Sequence, residues 1–341
     1  MKVDRDTLRG ALGVIAALGI IALIYLLKPG IGGAPDFPCN PDSSDAIEID
    51  IRAGESGSEI AKKLFTQGVT ASYESFFRVA VGDERSNRIA PGVHLIDRKI
   101  CAANALNQLL DSKRIANLIS IPEGAWISEI KESLAKVGFS SEEVNRGFAD
   151  VSLPSGYSTL EGLLFPAQYS FGSNEGIDSI LDAIVKRGLT ELREAGLAEP
   201  MGKFSPQELL TVASLIQAEG DVQDYRKISQ VIRNRLSIGM PLQFDSTVHY
   251  IKGTRGSVFL SSKSTLINSA YNTYRRYGLP PGPINNPGRE AMQAAINPAP
   301  GNWLFFITVA PGDTRFTDSI EIFNQWKVLY KKNLRAGKFG K

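Results

Sequence analysis

The hydrophobic residues of this chain form one uninterrupted run, several short alternating segments and a set of helical stripes. The run covers residues 10–27, contains no charged residue, and is long enough to cross an apolar layer of about 30 Å. Basic residues are concentrated before the run, whereas only Lys28 follows it closely. A cleaved signal peptide is the alternative, although its apolar stretch is typically only about 7–15 residues long. The pattern predicts an uncleaved transmembrane helix with residues 1–9 in the cytoplasm and the rest of the chain outside it.

The segment after this run has the composition of a tether. Residues 28–45 are rich in Pro, Gly, Asp and Ser and show no apolar periodicity, so folded structure is expected to begin near Ala46. The chain contains two cysteines, Cys39 and Cys101, and both fall in the part that is expected outside the cytoplasm. A disulfide between them is therefore permitted, and two free thiols are the alternative.

A repeated pattern of strand, turn and helix follows the tether. Residues 49–68 and residues 119–138 match at an offset of 70 positions. Each copy combines an alternating strand, a turn at glycine and a helix that ends at glycine. The pattern fits a small carbohydrate-binding module, and the alternative, which sequence alone favours, is a duplicated packing unit without a ligand. We assign the repeat to a first region over residues 46–150 and expect a second domain over residues 151–341.

One carboxylate stands on the apolar stripe of a predicted helix. Ser205 and Pro206 form a helix start, Glu208 completes a capping box, and Gly220 marks the end of the helix. Glu219 shares a face with the apolar residues of this helix, so its side chain should be partly desolvated. Burial and the negative end of the helix dipole both favour the protonated carboxyl group, which a general acid requires. A helix-end glutamate that points into solvent is the alternative.

Composition argues against several classes of function. Lys and Arg number 38 against 36 Asp and Glu, so the charge gives no reason to expect a nucleic-acid partner. The two histidines, His94 and His249, lie far apart in sequence, and no zinc-binding spacing is present. The sequence contains no glycine loop of the phosphate-binding type, and neither Ser214 nor Ser246 is set in the Gly-x-Ser-x-Gly pattern of an acyl-transfer enzyme. No metal and no organic cofactor is implied.

Polar and aromatic residues cluster in short segments after Gly156. The segments are, in chain order, Glu161 to Pro166, Ala213 to Glu219, Asn234 to Leu236, Leu242 to Val248, Tyr271 to Tyr274 and Gly278 to Gly282. Their order resembles that of the endolytic murein transglycosylase family, also called the YceG-like family. The resemblance implies an α+β protein with a single N-terminal transmembrane helix, a LysM-like region at the repeat, and an α+β catalytic domain.

The same resemblance implies a reaction. Members of this family cleave peptidoglycan glycan strands within the chain, outside the cytoplasmic membrane, and leave a 1,6-anhydro end on the muramic acid product. Glu219 falls on the catalytic glutamate of the family, which protonates the glycosidic oxygen and then assists the attack of the C6 hydroxyl. Such an intramolecular attack can proceed with one carboxylate, whereas ordinary glycosidases use two. Gln217 stands where a second glutamate is frequent, so Glu219 is the only carboxylate in its motif.

Other site residues follow from the resemblance as well. Glu161 and Asp245 are expected to orient the substrate or to support the acid. Four further residues are expected to bind sugar hydroxyls and N-acetyl groups, namely Gln243, Tyr271, Asn272 and Tyr274. A loop-stabilising hydrogen bond is the alternative for each of them. The sequence thus predicts that Glu219 lines a cleft shared with Glu161, Asp245 and Tyr271.

The expected partners are the glycan strand and, from the resemblance alone, wall-synthesis enzymes. The expected location is the cytoplasmic membrane, with a single N-terminal span and the catalytic domain outside the cytoplasm. The competing interpretation is a membrane-anchored wall-binding scaffold, which keeps the fold and recruits synthesis enzymes without cleaving glycan.

Overall fold

The structure, a computed structural model, describes residues 33–39, 45–255 and 260–339. The chain divides into two compact units, of which the first ends at Ala116 and the second begins at Asn117. The sequence placed a boundary near residue 150, but the helices on either side of that position pack together inside the second unit. The second copy of the repeat therefore belongs to the second unit.

The first unit is built around an antiparallel pair of strands. Its elements are, in chain order, β1 (Ala46–Ile51), α1 (Gly57–Thr66), α2 (Tyr73–Gly82), a 3₁₀ turn (Glu84–Arg88), β2 (Gly92–Asp97), α3 (Ala102–Leu109) and a second 3₁₀ turn (Ser112–Arg114). β1 pairs with β2 over its whole length. Alternate residues of β1, Ile49 and Ile51, enter the core with Leu64 and Phe76, as the period of two requires.

A disulfide fastens the segment before β1 to the start of α3. Cys39 and Cys101 are bonded, with their Cα atoms 4.8 Å apart. The Asp36 carboxylate beside them accepts a hydrogen bond from the backbone N–H of Ala102 at 3.1 Å. The sequence allowed either a disulfide or two free thiols, and the disulfide is present. Residues 33–39 therefore belong structurally to the first unit.

The second unit is mainly helical. Its elements are β3 (Ile119–Ser120), α4 (Ile127–Lys136), α5 (Ser141–Asp150), β4 (Gln168–Tyr169), α6 (Ile177–Glu194), α7 (Pro206–Glu219), α8 (Tyr225–Ser237), α9 (Asp245–Lys252), a 3₁₀ turn (Ser264–Leu266), α10 (Arg289–Ile296), β5 (Phe305–Ala310), β6 (Asp313–Thr317) and α11 (Ile320–Arg335). β3 pairs with β4 and β5 pairs with β6, both antiparallel.

Helix α7 lies at the centre of the second unit. Every residue from Leu209 to Ile216 is buried, and α8, α9 and α10 pack against the helix. The predicted capping box is confirmed, because Glu208 accepts from the Ser205 backbone N–H at 2.8 Å while the Ser205 hydroxyl accepts from the Glu208 N–H. Gly220 follows the helix in an extended conformation, and a Cβ atom there would lie 2.4 Å from the Ile228 side chain. The helix end is therefore fixed by close packing.

The repeated pattern does not build a LysM-like region of two similar modules. Each copy does contain a glycine turn, at Gly54 and Gly124, and a following helix, α1 or α4. The strands differ, however, since β1 pairs with β2 in the first unit, whereas β3 is short and pairs with β4 in the second. The expected LysM-like region is corrected accordingly, because the two strands find different partners.

The transmembrane helix that the sequence predicts over residues 10–27 lies outside the described residues. Among the helices of the described residues, none is long and apolar enough to cross a membrane. The longest, α6, is amphipathic and carries Asp178, Asp182 and Lys186 along its length. The expected fold class with a single membrane-spanning helix is corrected to a mixed α-helical and β-sheet chain of two units. The expected single-pass membrane location is corrected with it, because no helix of the described residues supports a membrane span.

Candidate active site

A cavity of about 430 Å³ opens in the second unit at the C-terminal end of α7. Its wall is formed by the end of α7, the start of α9, the turn before α4 and the segment before α10. Ionisable and polar side chains dominate the wall, among them Glu219, Asp245, Ser246, His249, Arg255 and Asn285. A concave site with converging polar groups is the usual form of a small-ligand or catalytic site.

Glu219 is the last residue of α7, and its carboxylate faces the start of α9. The Ser246 hydroxyl donates to Glu219 Oε1 at 2.5 Å, and the Ser246 backbone N–H lies 3.4 Å from the same oxygen. Burial, with a smaller contribution from the neighbouring Asp245, raises the pKa of Glu219 to about 7, while the hydrogen bond from Ser246 opposes the shift. Near neutral pH this carboxyl group can both give and take a proton.

Asp245 also lines the cavity, as the first residue of α9. Its carboxylate accepts a hydrogen bond from the Tyr274 hydroxyl. Burial, together with this hydrogen bond, raises the pKa of Tyr274, so the phenol stays protonated and remains a donor. Tyr274 thus reaches the site through Asp245 and stands behind the described lining residues.

Glu161 lies behind the cavity wall, with 3% of its surface exposed. It accepts hydrogen bonds from the backbone N–H of Ile127 at 3.2 Å, from the Tyr250 hydroxyl at 3.2 Å and from the Asn286 side chain at 2.9 Å. Burial raises the pKa of Glu161 to about 7, although these hydrogen bonds oppose the shift. The position of Glu161 is that of a residue that supports the wall.

The cleft expected from the sequence is therefore formed only in part. Glu219 and Asp245 line the cavity, whereas Glu161 and Tyr271 are absent from its described lining. Tyr271 packs against Tyr250, with ring centroids 5.4 Å apart, and Tyr250 in turn bonds to Glu161. Tyr250 and Tyr271 are partly buried and pack next to the buried Glu161.

Gln243 and Asn272 stabilise loops. Gln243 has a φ of 49°, and its backbone N–H donates to the Thr273 carbonyl at 3.1 Å. Asn272 is fully buried, and its side-chain nitrogen donates to the Thr265 and Ile267 carbonyls at 3.0 and 2.7 Å. Neither residue belongs to the described lining of the cavity.

The structure adds Trp126 and Arg255 to the site, which sequence reasoning missed. The Arg255 guanidinium lies 4.0 Å from the ring centroid of Trp126, and both line the cavity. Arg255 also donates to both carboxylate oxygens of Glu129, at 2.5 and 2.7 Å, and to the Gly124 carbonyl at 2.6 Å. The only sequence signal was the position of Trp126 just after the glycine turn of the second repeat copy.

Sequence reasoning also missed Asn285 and the placement of His249. Both line the cavity, and each has a buried polar atom without a hydrogen-bond partner in the described structure: Oδ1 of Asn285 and Nδ1 of His249. Buried polar atoms are usually paired, so these two require an explanation.

Gln217 makes hydrogen bonds to two neighbouring segments of the second unit. Its amide nitrogen donates to the Tyr225 hydroxyl at 2.8 Å, and its amide oxygen accepts from the Gly288 backbone N–H at 2.9 Å. Gln217 therefore connects α7 to α8 and to the start of α10.

The fold and the site define a mixed α/β protein whose cavity holds a partly buried carboxylate suited to acid–base chemistry. The YceG-like family model matches residues 49–328, so this chain belongs to the YceG-like family. It is 31% identical over 316 residues to the endolytic murein transglycosylase of Bacillus subtilis (strain 168), a match that covers 86% of this chain and 87% of that protein.

Two further proteins resemble the chain over most of its length. The endolytic murein transglycosylase of Streptococcus pneumoniae serotype 2 (strain D39) is 26% identical over 353 residues, which cover 90% of this chain. The chain spans 64% of that protein's length. A solved structure of a YceG-like protein from Listeria monocytogenes superposes with a TM-score of 0.55 at 27% identity, covering 82% of this chain and 99% of the other.

Proposed function

We propose that this protein is a peptidoglycan lytic transglycosylase that cleaves glycan strands within the chain and leaves 1,6-anhydro-muramic acid ends. The observation that carries the proposal is the position of Glu219 in the cavity, with a pKa raised to about 7 by burial. Membership of the YceG-like family and two relatives named endolytic murein transglycosylases support it.

Glu219 would act twice in this reaction. The protonated carboxyl group gives its proton to the glycosidic oxygen while the bond between that oxygen and C1 of the muramic acid breaks. The C6 hydroxyl of the same muramic acid then attacks C1, and the Glu219 carboxylate takes the proton of that hydroxyl. The proton is thus restored to Glu219, and no water is consumed. A pKa near the working pH favours both steps.

The rest of the cavity suits a sugar substrate. Positive charge develops on the sugar ring as the glycosidic bond breaks. The Asp245 carboxylate, at the start of α9, can stabilise this charge. Trp126 and Arg255 add an aromatic ring and a cationic group to the lining of the same cavity. Hydroxyl-rich rings combine polar edges with apolar faces, and this cavity offers both kinds of surface.

The test is the chemistry of the product. The full chain is incubated with purified glycan strands, and the fragments are identified by mass spectrometry. Anhydro-ended fragments, one water lighter than hydrolysis products, are expected from the native protein and from Glu208→Gln. Glu208 lies on the same helix, is exposed and caps its start, so it controls for the substitution itself. Glu219→Gln should fold normally and release nothing.

Three outcomes would count against the proposal. Reducing ends in place of anhydro ends would indicate hydrolysis, with Asp245 as the second carboxylate. Full activity of Glu219→Gln would exclude Glu219 as the acid. Binding of strands without any cleavage would favour the competing interpretation, a wall-binding scaffold. Recruitment of wall-synthesis enzymes is a separate prediction, and a pull-down with the full chain would test it.

A further inference from the structure

The wall of the cavity contains a hydrogen-bond acceptor that the protein leaves unused. Asn285 is 2% exposed and lines the cavity beside Glu219. Its amide nitrogen donates to the Ser214 carbonyl at 2.8 Å, while its Oδ1 atom is buried without a partner in the described structure. Because a backbone carbonyl only accepts, the nitrogen must face Ser214, and the orientation of the amide is fixed. The free group is therefore an acceptor.

Helix α7 fixes the position of this acceptor relative to the acid. The Ser214 hydroxyl accepts from the backbone N–H of Ile284 at 3.1 Å, and the Ser214 carbonyl accepts from the Asn285 side chain. Ser214 and Glu219 belong to the same helix, at a rise of about 1.5 Å per residue. The segment that carries Asn285 is thus clamped to the helix that carries Glu219.

The neighbouring residue, Asn286, differs from Asn285 because both its amide oxygen and its amide nitrogen have hydrogen-bond partners within the protein. Asn286 accepts from the backbone N–H groups of Gly162 and Leu164 at 2.9 Å with its oxygen. Its nitrogen donates to the Ala125 carbonyl and to Glu161, each at 2.9 Å. All of its hydrogen-bonding capacity serves the fold, whereas the Oδ1 atom of Asn285, a residue of the cavity lining, is buried without a partner in the described structure.

We propose that Asn285 binds the 2-acetamido group of a substrate sugar, with Oδ1 accepting the acetamido N–H. The inference rests on the proposed function, because it assumes a glycan in this cavity. A sugar hydroxyl could also donate, but an acetamido group carries a methyl as well, and the apolar Ile284 and Ala218 line the cavity beside Asn285. The unpaired Nδ1 of His249 in the same wall provides a position that can donate to the acetamido carbonyl in the Nδ1–H tautomer.

Binding to modified glycan tests the proposal without depending on cleavage. The full chain carrying Glu219→Gln is titrated calorimetrically with N-acetylated strands and with chemically de-N-acetylated strands. We expect the N-acetylated strand to bind about tenfold more tightly or better, since the other strand leaves the buried acceptor unpaired. Asn285→Ala, in the same background, should lose this preference by weakening binding of the N-acetylated strand alone.

A second variant should reverse the preference between the N-acetylated and the de-N-acetylated strand. Asn285→Asp keeps an acceptor and adds a negative charge, so it should favour the de-N-acetylated strand, whose free amine is protonated near neutral pH. Asn286→Ala is the matched control, because it should lower the melting temperature while the folded protein keeps its preference. Melting curves of each variant separate a loss of folding from a loss of recognition.

The outcomes distinguish this proposal from the proposed function. Equal binding of the two strands by the Glu219→Gln protein, or a preference that Asn285→Ala and Asn285→Asp leave unchanged, would overturn the role of Asn285. Failure to bind either strand would overturn it too. A clear preference that depends on Asn285, in a native protein that releases no anhydro product, would instead leave the binding residue standing and remove the enzymatic assignment.

Discussion

The Ser246 hydroxyl donates a hydrogen bond of 2.5 Å to the carboxylate of Glu219. This contact joins the C-terminal end of α7 to the N-terminal end of α9. The dipole of α7 presents its negative end to the carboxyl group and favours the proton, whereas α9 presents its positive end and favours the carboxylate. The two helix dipoles thus shift the pKa of Glu219 in opposite directions, and substitutions of neighbouring residues should be able to raise or lower this pKa.

Ser246→Ala should raise the pKa of Glu219. Burial already raises this pKa to about 7, and the Ser246 hydrogen bond opposes that effect by stabilising the carboxylate. The first step needs a protonated acid, so the alkaline limb of the pH profile of kcat/KM should move to higher pH. We also expect kcat to fall about tenfold or more, since the carboxyl group loses its orientation. Cleavage rates measured across the neutral range check both effects, and an unmoved limb would contradict the assignment.

Asp245→Asn should shift the same limb in the opposite direction. The Asp245 charge raises the pKa of Glu219, in addition to the larger effect of burial, and its removal makes ionisation of Glu219 easier. The asparagine oxygen can still accept from the Tyr274 hydroxyl, so the loop contact survives. On the alkaline side of the pH profile, kcat/KM should therefore begin to fall at a lower pH than in the native protein. Shifts of equal sign in Ser246→Ala and Asp245→Asn would be inconsistent with this electrostatic picture.

The position of Glu219 could be predicted from the sequence because its signals are local. Ser205, Pro206 and Gly220 mark the ends of α7 without any knowledge of the fold. The other walls of the cavity could not be predicted in this way. Trp126 and Asn285 lie far from Glu219 in sequence, and only the folded chain brings them into the lining of the same cavity.

The repeat shows the same limit. Residues 49–54 and 119–124 have similar patterns, but a strand is defined by its hydrogen-bonding partner as well as by alternation. Residues of β1 find six partners in β2, whereas β3 finds only Tyr169 and Gln168. A local pattern therefore predicted an element, but the fold assigned the two copies to different units.

Removal of the disulfide should destabilise the first unit. The bond between Cys39 and Cys101 closes a loop of 62 positions, for which loop-closure entropy suggests a loss of about 4 kcal/mol. The variant Cys39→Ser with Cys101→Ser should therefore melt at a lower temperature in calorimetry. A reductant is the internal control, because it should lower the melting temperature of the native protein and leave that of the double variant unchanged. Equal melting temperatures of the two proteins without reductant would contradict a stabilising role.

Glu161→Gln should flatten the dependence of stability on pH. A free glutamate titrates near 4.5, whereas burial raises the pKa of Glu161 to about 7 in the folded protein. The folded state therefore holds this proton more tightly than the unfolded state. Its contribution to stability is full below about pH 4.5 and is lost as the pH rises through about 7, to a total of roughly 3 kcal/mol.

Chemical denaturation at a series of pH values measures this contribution as the free energy of unfolding. Glutamine cannot ionise, yet its oxygen can still accept from Ile127 and Asn286 and its nitrogen can donate to Tyr250. The native protein should thus lose stability between about pH 4.5 and 7, and Glu161→Gln should lose less. Glu219→Gln should give a similar flattening, because burial raises the pKa of Glu219 to about 7 as well. Only Glu219→Gln should abolish cleavage, since Glu161 stands behind the wall and Glu219 lines the cavity.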